Sequence, residues 1–363
     1  MSERASQPSA PVERELLRST VSAILDEHGP RARDEAARHG WSAGLWQVLA
    51  ESGLTLVSVP ESAGGSGGDL ADLAVVLQAC GYHAAPVPVA ETALTGWALA
   101  SAGLPVPHGP LAVVPDGAAA GALVADGPGH RLAGRLGAVP WARGAHRVAV
   151  FAGRAGRTTH AVLDPRACTL EPGANLAGEP RDDLVLPARG VGCTPGGPEP
   201  AAVTLRGVLG RSLLMIGALR RVLDLTVRYA GERQQFGRAI GRFQAVQQQI
   251  AALAGTVEQA QAIADLAVDT LDRDGSADEA VLAAKICAGH AAAVAVAVGH
   301  QVHGAIGFTA EHELHRHTRR LMAWRDEDGS ECVWSAELGA RVVAAGPGGL
   351  WDLLTGPAAA PAS

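Results

Sequence analysis

The sequence has few aromatic residues and few cysteines. Phe, Trp and Tyr together make up 4% of the 363 residues, although 47% of the chain is hydrophobic. The five cysteines are scattered: Cys80, Cys168, Cys193, Cys287 and Cys332. An odd count without a CxxC pair argues against a disulfide framework or a zinc knuckle, and it favours a reducing compartment.

Charge is also sparse, and long apolar runs are lacking. Charged residues make up 18% of the chain and the formal net charge is −7, so no overall field attracts nucleic acid or an acidic membrane. The start of the chain lacks the apolar run of a signal peptide. The most apolar stretch, 291–299, has about half of the roughly 20 residues that a membrane span requires. We therefore expect a soluble, cytoplasmic protein with no nucleic-acid or membrane partner.

Patterning divides the chain into three zones. Residues 12–104 show apolar residues at helical spacing, which predicts an N-terminal helical domain. Its helices are expected over 13–27, 42–52, 70–80 and 90–102. A short extended run at 54–59 and a glycine loop are expected between the second and third of them.

The middle zone, 105–200, is dense in Gly and Pro. Its short β-like runs, at 111–114, 146–151 and 159–163, predict a small β-barrel or sandwich domain. Residues 201–345 instead form long helical patterns over 205–233, 243–273 and 277–301. Because each exceeds the mean helix of roughly 11–12 residues, this zone predicts a four-helix bundle.

These zones give an α+β multidomain fold with helical, β and helical-bundle domains in that order. We expect residues 1–11 to be disordered, as well as the end of a tail that occupies 346–363.

Two segments suggest a specific site and have a plainer interpretation. GGSGGD at 64–69 precedes a helix, but Leu70 stands where the third glycine of a dinucleotide fingerprint belongs, so a loop between helices is the simpler interpretation. HELHRH at 312–317 lacks the histidine spacing of a zincin helix because Arg316 takes the required place. The three histidines could still ligate a metal, but we interpret the segment as a polar helix face and predict no metal.

The segment RYAGERQQFGRAIGRFQ at 228–244 contains a predicted helix end, a glycine turn and a helix start. Arg233 and the amides where Phe243 and Gln244 open the next helix could bind an anionic group. The alternative is a polar turn in which Phe236 and Phe243 are core residues.

The segment QVHGAIGFTAE at 301–311 is a predicted corner between helices. Gly304 and Gly307 interrupt the helix, and Thr309 is a suitable N-cap for the next one. Glycine allows a backbone to approach a ligand closely. Without other evidence this segment is only a corner.

The segment WRDEDGSE at 324–331 places four carboxylates in a turn between two helices. Crowded carboxylates raise one another's pKa, which can prepare a general base. The alternative is a solvated acidic turn.

Taken in order, these segments resemble the acyl-CoA dehydrogenase family of flavoproteins. The matching segments are VPESAGGSGGD at 59–69, RYAGERQQFGRAIGRFQ at 228–244 and QVHGAIGFTAE at 301–311. The resemblance covers nearly the whole chain and is weakest over 105–200. It implies a tetramer, formed as a homo- or hetero-oligomeric dimer of dimers.

The resemblance implies FAD as cofactor and indicates which residues contact it. Contacts to the FAD of a neighbouring subunit are implied for Arg233, Gln235 and Phe236. The adenosine half and the pyrophosphate would be met by Phe243, Gln244, Gln301, Gly304 and Ala305. The flavin ring would lie near Val139, Trp141 and Ser330, the first two in a segment, 132–148, that resembles the family's flavin-facing strand and turn.

The resemblance also implies the reaction. In this family a carboxylate removes the α-proton of an acyl-CoA or acyl-carrier thioester while the β-hydrogen leaves as hydride to the flavin, and an electron-transfer flavoprotein or similar acceptor takes the electrons. The position of the family's catalytic glutamate falls on Asp328, followed by Gly329, with Glu327 as a reserve. An alternative family position on the first bundle helix falls close to Gly207, which cannot serve. Aspartate is one methylene shorter, and a general base needs hydrogen-bond reach.

The middle zone departs from the family pattern. It lacks the usual TEP…GSD stretch, whereas the half of the FAD site centred on Arg233 and 301–305 is intact. This asymmetry suggests a half-site or non-catalytic subunit of a heterotetramer, and HAAPVPVAET at 83–92 resembles actinobacterial-type relatives of that kind. A flavin monooxygenase of the same fold is a third hypothesis.

Overall fold

The computed structural model describes residues 10–114, 119, 121–126, 129–154 and 157–355. The chain divides into two compact units, Met1–Thr204 and Leu205–Ser363. The predicted N-terminal helical zone and the middle β zone both fall within the first unit. The division into three domains therefore stays a prediction.

The first unit begins with four α-helices: α1 (Ala10–His39), α2 (Ala43–Glu51), α3 (Leu70–Tyr82) and α4 (Val89–Ser101). Local sequence sets their starts. Ser42 Oγ accepts a 3.1 Å hydrogen bond from Leu45 N and so caps α2. Asp69 and Asp72 form a reciprocal capping box at α3, which satisfies amides that a helix start leaves unpaired. Of the predicted disordered segment, residues 1–9 lie outside the described residues, and α1 includes the last two.

The predicted extended run at 54–59 is wrong. The structure has single-turn 3-10 helices at Leu54–Leu56 and Glu61–Ala63. The glycine loop folds back on this run, and the amide of Gly68 donates to the carbonyl of Val57 at 2.8 Å. These local hydrogen bonds take the place of a neighbouring strand.

The middle of the chain forms short strands in three sheets. The strands are β1 (Leu111–Val113), β2 (Leu123–Asp126), β3 (Gly129–Leu132), β4 (Arg135–Pro140), β5 (Arg147–Arg154), β6 (Arg157–Leu163), β7 (Thr169–Glu171), β8 (Arg181–Val185), β9 (Val191–Gly192) and β10 (Thr194–Pro195). The sheet orders are β1-β5-β6-β10, β2-β3-β9 and β4-β8-β7. β1 runs parallel to β5, whereas β5 and β6 are antiparallel.

A shared apolar core holds these sheets together. Leu132, Leu136, Val139, Val148 and Leu184 are each 0% exposed and belong to one cluster. The register of β4 against β8 shifts between Leu136 and Val139. This β-bulge changes the direction of the strand just before the predicted flavin-facing turn.

The second unit is helical. Its helices are α5 (Pro200–Glu232), which starts shortly before the unit boundary, α6 (Gln244–Asp274), α7 (Asp278–His303), α8 (Leu314–Asp326) and α9 (Glu331–Thr355). Helix α7 packs against α6, α8 and α9. Helix α9 is kinked at Gly346, where φ is 72°, close to the predicted start of the tail. Residues 356–363 of that tail lie outside the described residues.

The predicted fold class is confirmed, since N-terminal helices, a middle β region and C-terminal helices follow in order. Most of the predicted stripe of α5 is buried, including Leu209, Leu213, Ile216 and Leu219. Two helices, 200–232 and 278–308, are long and apolar enough to cross a membrane by length and composition, and 67% and 50% of their apolar windows are buried. Such burial is expected of core helices in a bundle.

Candidate active site

The turn between α8 and α9 carries the two residues predicted to be catalytic. Glu327 follows the last residue of α8, and Asp328 and Gly329 come next with φ angles of 56° and 91°. A Cβ built at Gly329 would lie 2.5 Å from Trp334 Nε1, so no side chain fits there. The same Nε1 donates a 2.9 Å hydrogen bond to the carbonyl of Asp328. The glycine that follows Asp328 is therefore required by the packing of one indole.

Both candidate carboxylates meet one buried arginine. Arg211 on α5 has a side chain only 6% exposed, and its Nε donates to Asp328 Oδ2 at 3.1 Å. Its Nη2 lies 3.4 Å from Glu327 Oε2. The Asp328 and Glu327 side chains remain 29% and 19% exposed. A carboxylate that is anchored on one side and accessible on the other can accept a proton from a bound molecule.

The other two carboxylates of this acidic segment lie apart from that pair. Asp326 is exposed to solvent. Glu331, in the first turn of α9, is buried and forms an ion pair with Arg325. The structure thus brings Asp328 and Glu327 together and gives Asp326 and Glu331 different surroundings.

Sequence reasoning missed two charged residues beside this turn. Arg211 lies between Leu209 and Leu213 on the apolar stripe of α5. Lys285 on α7 is 0% exposed, and its Nζ donates to the carbonyl of Glu327 at 2.8 Å. The available signal was a single charge at a buried helical position, because such a residue is almost never fully buried without a partner.

A two-residue hairpin follows α5. Its strands, β11 (Gln234–Gln235) and β12 (Arg238–Ala239), are joined by Phe236 and Gly237 with φ angles of 51° and 78°. Positive φ at both central residues is the pattern of a type I′ turn. The Phe236 residue is 90% exposed and meets Phe243 edge-on, with 6.1 Å between ring centroids. Phe236 is therefore not a core residue in this chain.

The predicted cofactor contacts around the hairpin are exposed. The guanidinium of Arg238 lies over the ring of Phe243, 4.2 Å from its centroid, and so supports that ring at the start of α6. Arg233, Gln235 and Gln244 of the same segment are also exposed. An exposed aromatic residue among exposed polar groups is typical of an interaction surface.

The corner at 301–305 is likewise open. Gln301, Gly304 and Ala305 are exposed. Gly304 has a φ of 62°, and a Cβ built there has no heavy atom within 4 Å. The backbone of this corner is therefore accessible to a ligand, as a contact to a pyrophosphate requires.

The residues predicted to lie near the flavin ring, Val139, Trp141 and Ser330, are less exposed than most of the other predicted cofactor contacts. In the first unit the Val139 side chain is 0% exposed and belongs to the β core, so only its backbone could meet a ligand. Trp141 is 4% exposed, with φ at 56°, and its amide donates to the carbonyl of Pro180 at 3.0 Å. Ser330, in the second unit, is half-buried, and its carbonyl accepts from Trp334 N.

The predicted helix start after Thr309 is wrong. A 3-10 turn over Gly304–Phe308 precedes Thr309, whose Oγ1 donates to the carbonyl of Ile306 at 2.9 Å. Helix α8 starts only at Leu314. Thr309 thus closes one turn and does not cap the next helix.

Two residues of the histidine segment, Glu313 and His317, form an ion cluster with Arg221 of α5. Glu313 Oε1 lies 2.8 Å from Arg221 Nη2, and its Oε2 lies 3.9 Å from His317 Nε2. Bonding to His317, with help from Arg221, lowers the pKa of Glu313 to about 2. Burial lowers the pKa of His317 to about 4. Among the residues that the structure describes, no group of three or more His, Cys, Asp and Glu side chains is placed to hold a metal ion.

Comparison with known proteins gives two family models that match the chain. Acyl-CoA dehydrogenase, C-terminal domain, matches residues 208–343. Acyl-CoA dehydrogenase, N-terminal domain, matches residues 11–105. Together these ranges cover more than half of the chain and include the turn that holds Asp328.

Individual relatives agree with the family models. Acyl-CoA dehydrogenase IpdE2 of Mycobacterium tuberculosis is 34% identical over 314 residues, which span 85% of this chain and 91% of that protein. A variant of the Tcur3481-Tcur3483 steroid ACAD superposes with a TM-score of 0.84 at 27% identity, over 93% of this chain and 99% of that one. The ChsE4-ChsE5 complex from Mycobacterium tuberculosis gives a TM-score of 0.82 at 25% identity, over 94% of this chain and 99% of that one.

Proposed function

The chain belongs to the acyl-CoA dehydrogenase family of FAD-dependent oxidoreductases, and from that premise we propose its reaction. It dehydrogenates an acyl-CoA or acyl-carrier thioester between the α and β carbons, which gives a trans-2-enoyl thioester. The observation that carries this proposal is the Asp328 carboxylate, held by Arg211 and still 29% exposed in a turn whose next residue must be glycine.

Asp328 is the proposed general base, with Glu327 beside it in reserve. The Asp328 carboxylate takes the α-proton of the thioester, and Arg211 keeps one carboxylate oxygen fixed so that the other is free to accept. The half-buried position excludes part of the surrounding water, which strengthens electrostatic contacts at the site. Hydrogen bonds to the thioester carbonyl would stabilise the developing enolate.

The exposed residues of the second unit fit an FAD. Arg233, Gln235, Phe236 and Gln244 are exposed, and Phe243 among them is half-buried. The backbone of 301–305 is open at Gly304. Bound FAD would accept the β-hydrogen as hydride. Ser330 would touch the flavin, and Val139 and Trp141 would contribute chiefly through their backbone because their side chains are buried.

A second candidate function is a subunit of a heteromeric dehydrogenase that completes a partner's site. The observation that favours it is the contrast between the exposed hairpin at Phe236 and the buried side chains of Val139 and Trp141. One solved relative is itself a complex of two named chains, ChsE4-ChsE5. An electron-transfer flavoprotein or similar acceptor, a dimer-of-dimers assembly and a cytoplasmic location are parts of both candidates.

The experiment purifies the chain alone and with a paralogous partner, and records the flavin absorbance of each sample. Both are then assayed with a dye acceptor and a panel of saturated straight-chain and steroid acyl-CoA thioesters. We expect dye reduction and a product two hydrogens lighter than its substrate. Full flavin occupancy and turnover in the single chain would exclude the second candidate, whereas oxygen uptake with a hydroxylated product would indicate a monooxygenase.

A matched pair of arginine variants tests the cofactor surface. Arg233→Ala should lower flavin content, because Arg233 is the exposed arginine to which the family resemblance assigns a contact with FAD. Arg242→Ala removes another exposed arginine of the same segment that has no proposed contact, so its flavin content should stay at the wild-type level. Equal loss in both variants would mean that the segment acts only through its general positive charge.

A further inference from the structure

Lys285 is a buried cation that the proposed mechanism does not use. It lies on α7, where it is 0% exposed, and burial lowers its pKa to about 8. Removing an ammonium group from water is costly, and a leucine or methionine would fill the same space without that cost. The residue therefore calls for an explanation beyond packing.

The partners of Lys285 lie at the C-terminal end of α8. Its Nζ donates to the carbonyl of Trp324 and, at 2.8 Å, to the carbonyl of Glu327. The last carbonyls of a helix lack partners within the helix, and a lysine can satisfy them. The carboxylates of the neighbouring acidic turn also favour its charge, Asp328 most strongly, whereas Arg211 opposes it. Lys285 thus caps the helix that leads into the Asp328 turn.

The two peptide groups that flank the Asp328 Cα are held by different helices. The carbonyl of Glu327 belongs to the peptide group that enters Asp328, and Lys285 on α7 binds it. The carbonyl of Asp328 belongs to the peptide group that leaves it, and Trp334 Nε1 on α9 binds that one at 2.9 Å. Two fixed peptide planes define the φ and ψ angles between them, and so the direction of the Cα–Cβ bond.

The backbone conformation at Asp328 needs such support. Its φ is 56°, in the left-handed region that is unfavourable for a residue with a Cβ. Residues persist in such conformations only where the surrounding structure fixes them. With either hydrogen bond removed, the turn can relax and point the carboxylate elsewhere.

We propose that Lys285 and Trp334 are positioning residues that fix the orientation of the Asp328 carboxylate. This rests on the proposed function, in which Asp328 takes the α-proton. Arg211 anchors the carboxylate, whereas Lys285 and Trp334 anchor the backbone that carries it. Because an aspartate has a short reach, the backbone must place it accurately, and a displacement of about 1 Å can cost roughly 100-fold in rate.

Two variants of the FAD-loaded enzyme, assembled with its partner where it needs one, test this. Lys285→Met keeps an apolar stem without donors, and Trp334→Phe keeps an aromatic ring without the N–H. Each should lower kcat by about 10- to 100-fold and change KM by less than about three-fold, since the loss concerns the base and not the binding of substrate. The substrate is the saturated acyl-CoA with the highest turnover in the panel, with a dye acceptor.

Leu282→Ala is the matched control, because Leu282 is also 0% exposed on α7 and its side chain has no donor to bind a carbonyl of the turn. It should lower the Tm without the loss of kcat. A kcat that falls only in proportion to the Tm across all three variants would overturn the proposal.

Amide hydrogen exchange gives a readout that needs no flavin. In the Lys285→Met chain the amide of Glu327, which donates to the carbonyl of Ala323 at 3.3 Å, should exchange about ten-fold faster, because the variant loses the charged donor that holds the carbonyls of Trp324 and Glu327. Unchanged exchange together with unchanged kcat would contradict the proposal. Asp328→Asn, measured in the same series, separates the two claims. Full activity in Asp328→Asn overturns the base assignment, whereas an inactive Asp328→Asn beside fully active Lys285→Met and Trp334→Phe overturns only the positioning role.

Discussion

Two turns of this protein hold a non-glycine residue at a φ of 56°. One turn leaves the side chain of that residue partly exposed, and the other buries it. In the turn after α8, Asp328 keeps its side chain 29% exposed and bonded to Arg211. In the turn after β4, Trp141 is only 4% exposed, and its Nε1 has no hydrogen-bond partner among the described residues. The resemblance to flavoproteins implies a site residue at both positions, yet only Asp328 exposes a group that can accept a proton.

The contrast shows that a positive φ alone does not tell whether a turn presents its side chain or buries it. At Asp328 the left-handed backbone is held by three polar contacts: Arg211 binds the carboxylate, and Lys285 and Trp334 bind the flanking peptide groups. Strain at Trp141 is matched by burial of a large ring, with the Arg181 guanidinium 5.8 Å from its centroid. The first arrangement orients a carboxylate, whereas the second stabilises the β core.

The largest expected effect concerns the buried ring. Trp141→Ala should reduce the free energy of unfolding by about 3–5 kcal/mol, as is usual for removing a buried Trp. Urea unfolding followed by circular dichroism measures it. Phe236→Ala, which removes a ring that is 90% exposed, should stay within about 0.5 kcal/mol of wild type. Similar losses of unfolding free energy in the two variants would show that the buried Trp141 ring stabilises the fold no more than the exposed Phe236 ring does.

Low pH should reduce the stability of helix α8, which leads into the Asp328 turn. The pKa of His317 is lowered to about 4 from 6.5, so the unfolded chain binds a proton first and stability falls as the pH drops from about 6.5 to 4. The pKa of Glu313 is lowered to about 2 from 4.5, so its contribution is present above pH 4.5 and is lost as the pH falls towards 2. Each group adds a slope of up to about 1.4 kcal/mol per pH unit. Both belong to α8 or its start, the helix that leads into the Asp328 turn.

Urea unfolding between pH 4 and 7 measures this slope. His317→Gln should flatten it, because glutamine does not titrate. His290→Gln changes an exposed histidine on α7 and should leave the slope as in wild type. Identical slopes in His317→Gln and wild type would show that this ion cluster does not control acid stability.

A smaller effect on stability should distinguish two residues with positive φ. At Ala138 a glycine relieves the backbone strain, whereas at Asp328 the side chain makes a contact that a glycine would lose. Ala138, in the bulge of β4, has a φ of 51° and is exposed. Ala138→Gly should raise the free energy of unfolding by about 0.5 kcal/mol, since glycine tolerates positive φ but costs chain entropy. Asp328→Gly should give no such gain, because it deprives buried Arg211 of a partner. Equal gains in thermal unfolding would mean that the Arg211 contact adds nothing.

Much of the fold could be predicted from the sequence, because local rules agree with it. Apolar residues at helical spacing placed α5, and the helix expected over 70–80 corresponds to α3, Leu70–Tyr82. The prediction failed at 54–59, where amides of the glycine loop that follows directly replace a strand partner. Pattern alone does not show which loop will fold back on a short apolar run.

The candidate site could be predicted only in part. The motif order indicated Asp328, Glu327 and the glycine turn after Arg233, but not the residues that anchor the carboxylates. Arg211 and Lys285 are far from the turn along the chain, and only the packing of helices brings them to it. In the sequence, the only signal of Arg211 and Lys285 was a charged residue on an apolar helical face. Such a residue most often lies at the solvent-exposed border of that face.

The most direct test of the account is the rate of dye reduction by three carboxylate variants of the same turn at saturating acyl-CoA. Asp328→Asn should lower kcat by about 1,000-fold at unchanged flavin content, as expected for loss of a general base. Asp326→Asn, which changes an exposed carboxylate, should stay within about three-fold of wild type, and Glu327→Gln should fall between the two, because Glu327 shares Arg211 with Asp328. Wild-type turnover in Asp328→Asn would contradict the assignment of Asp328 as the base.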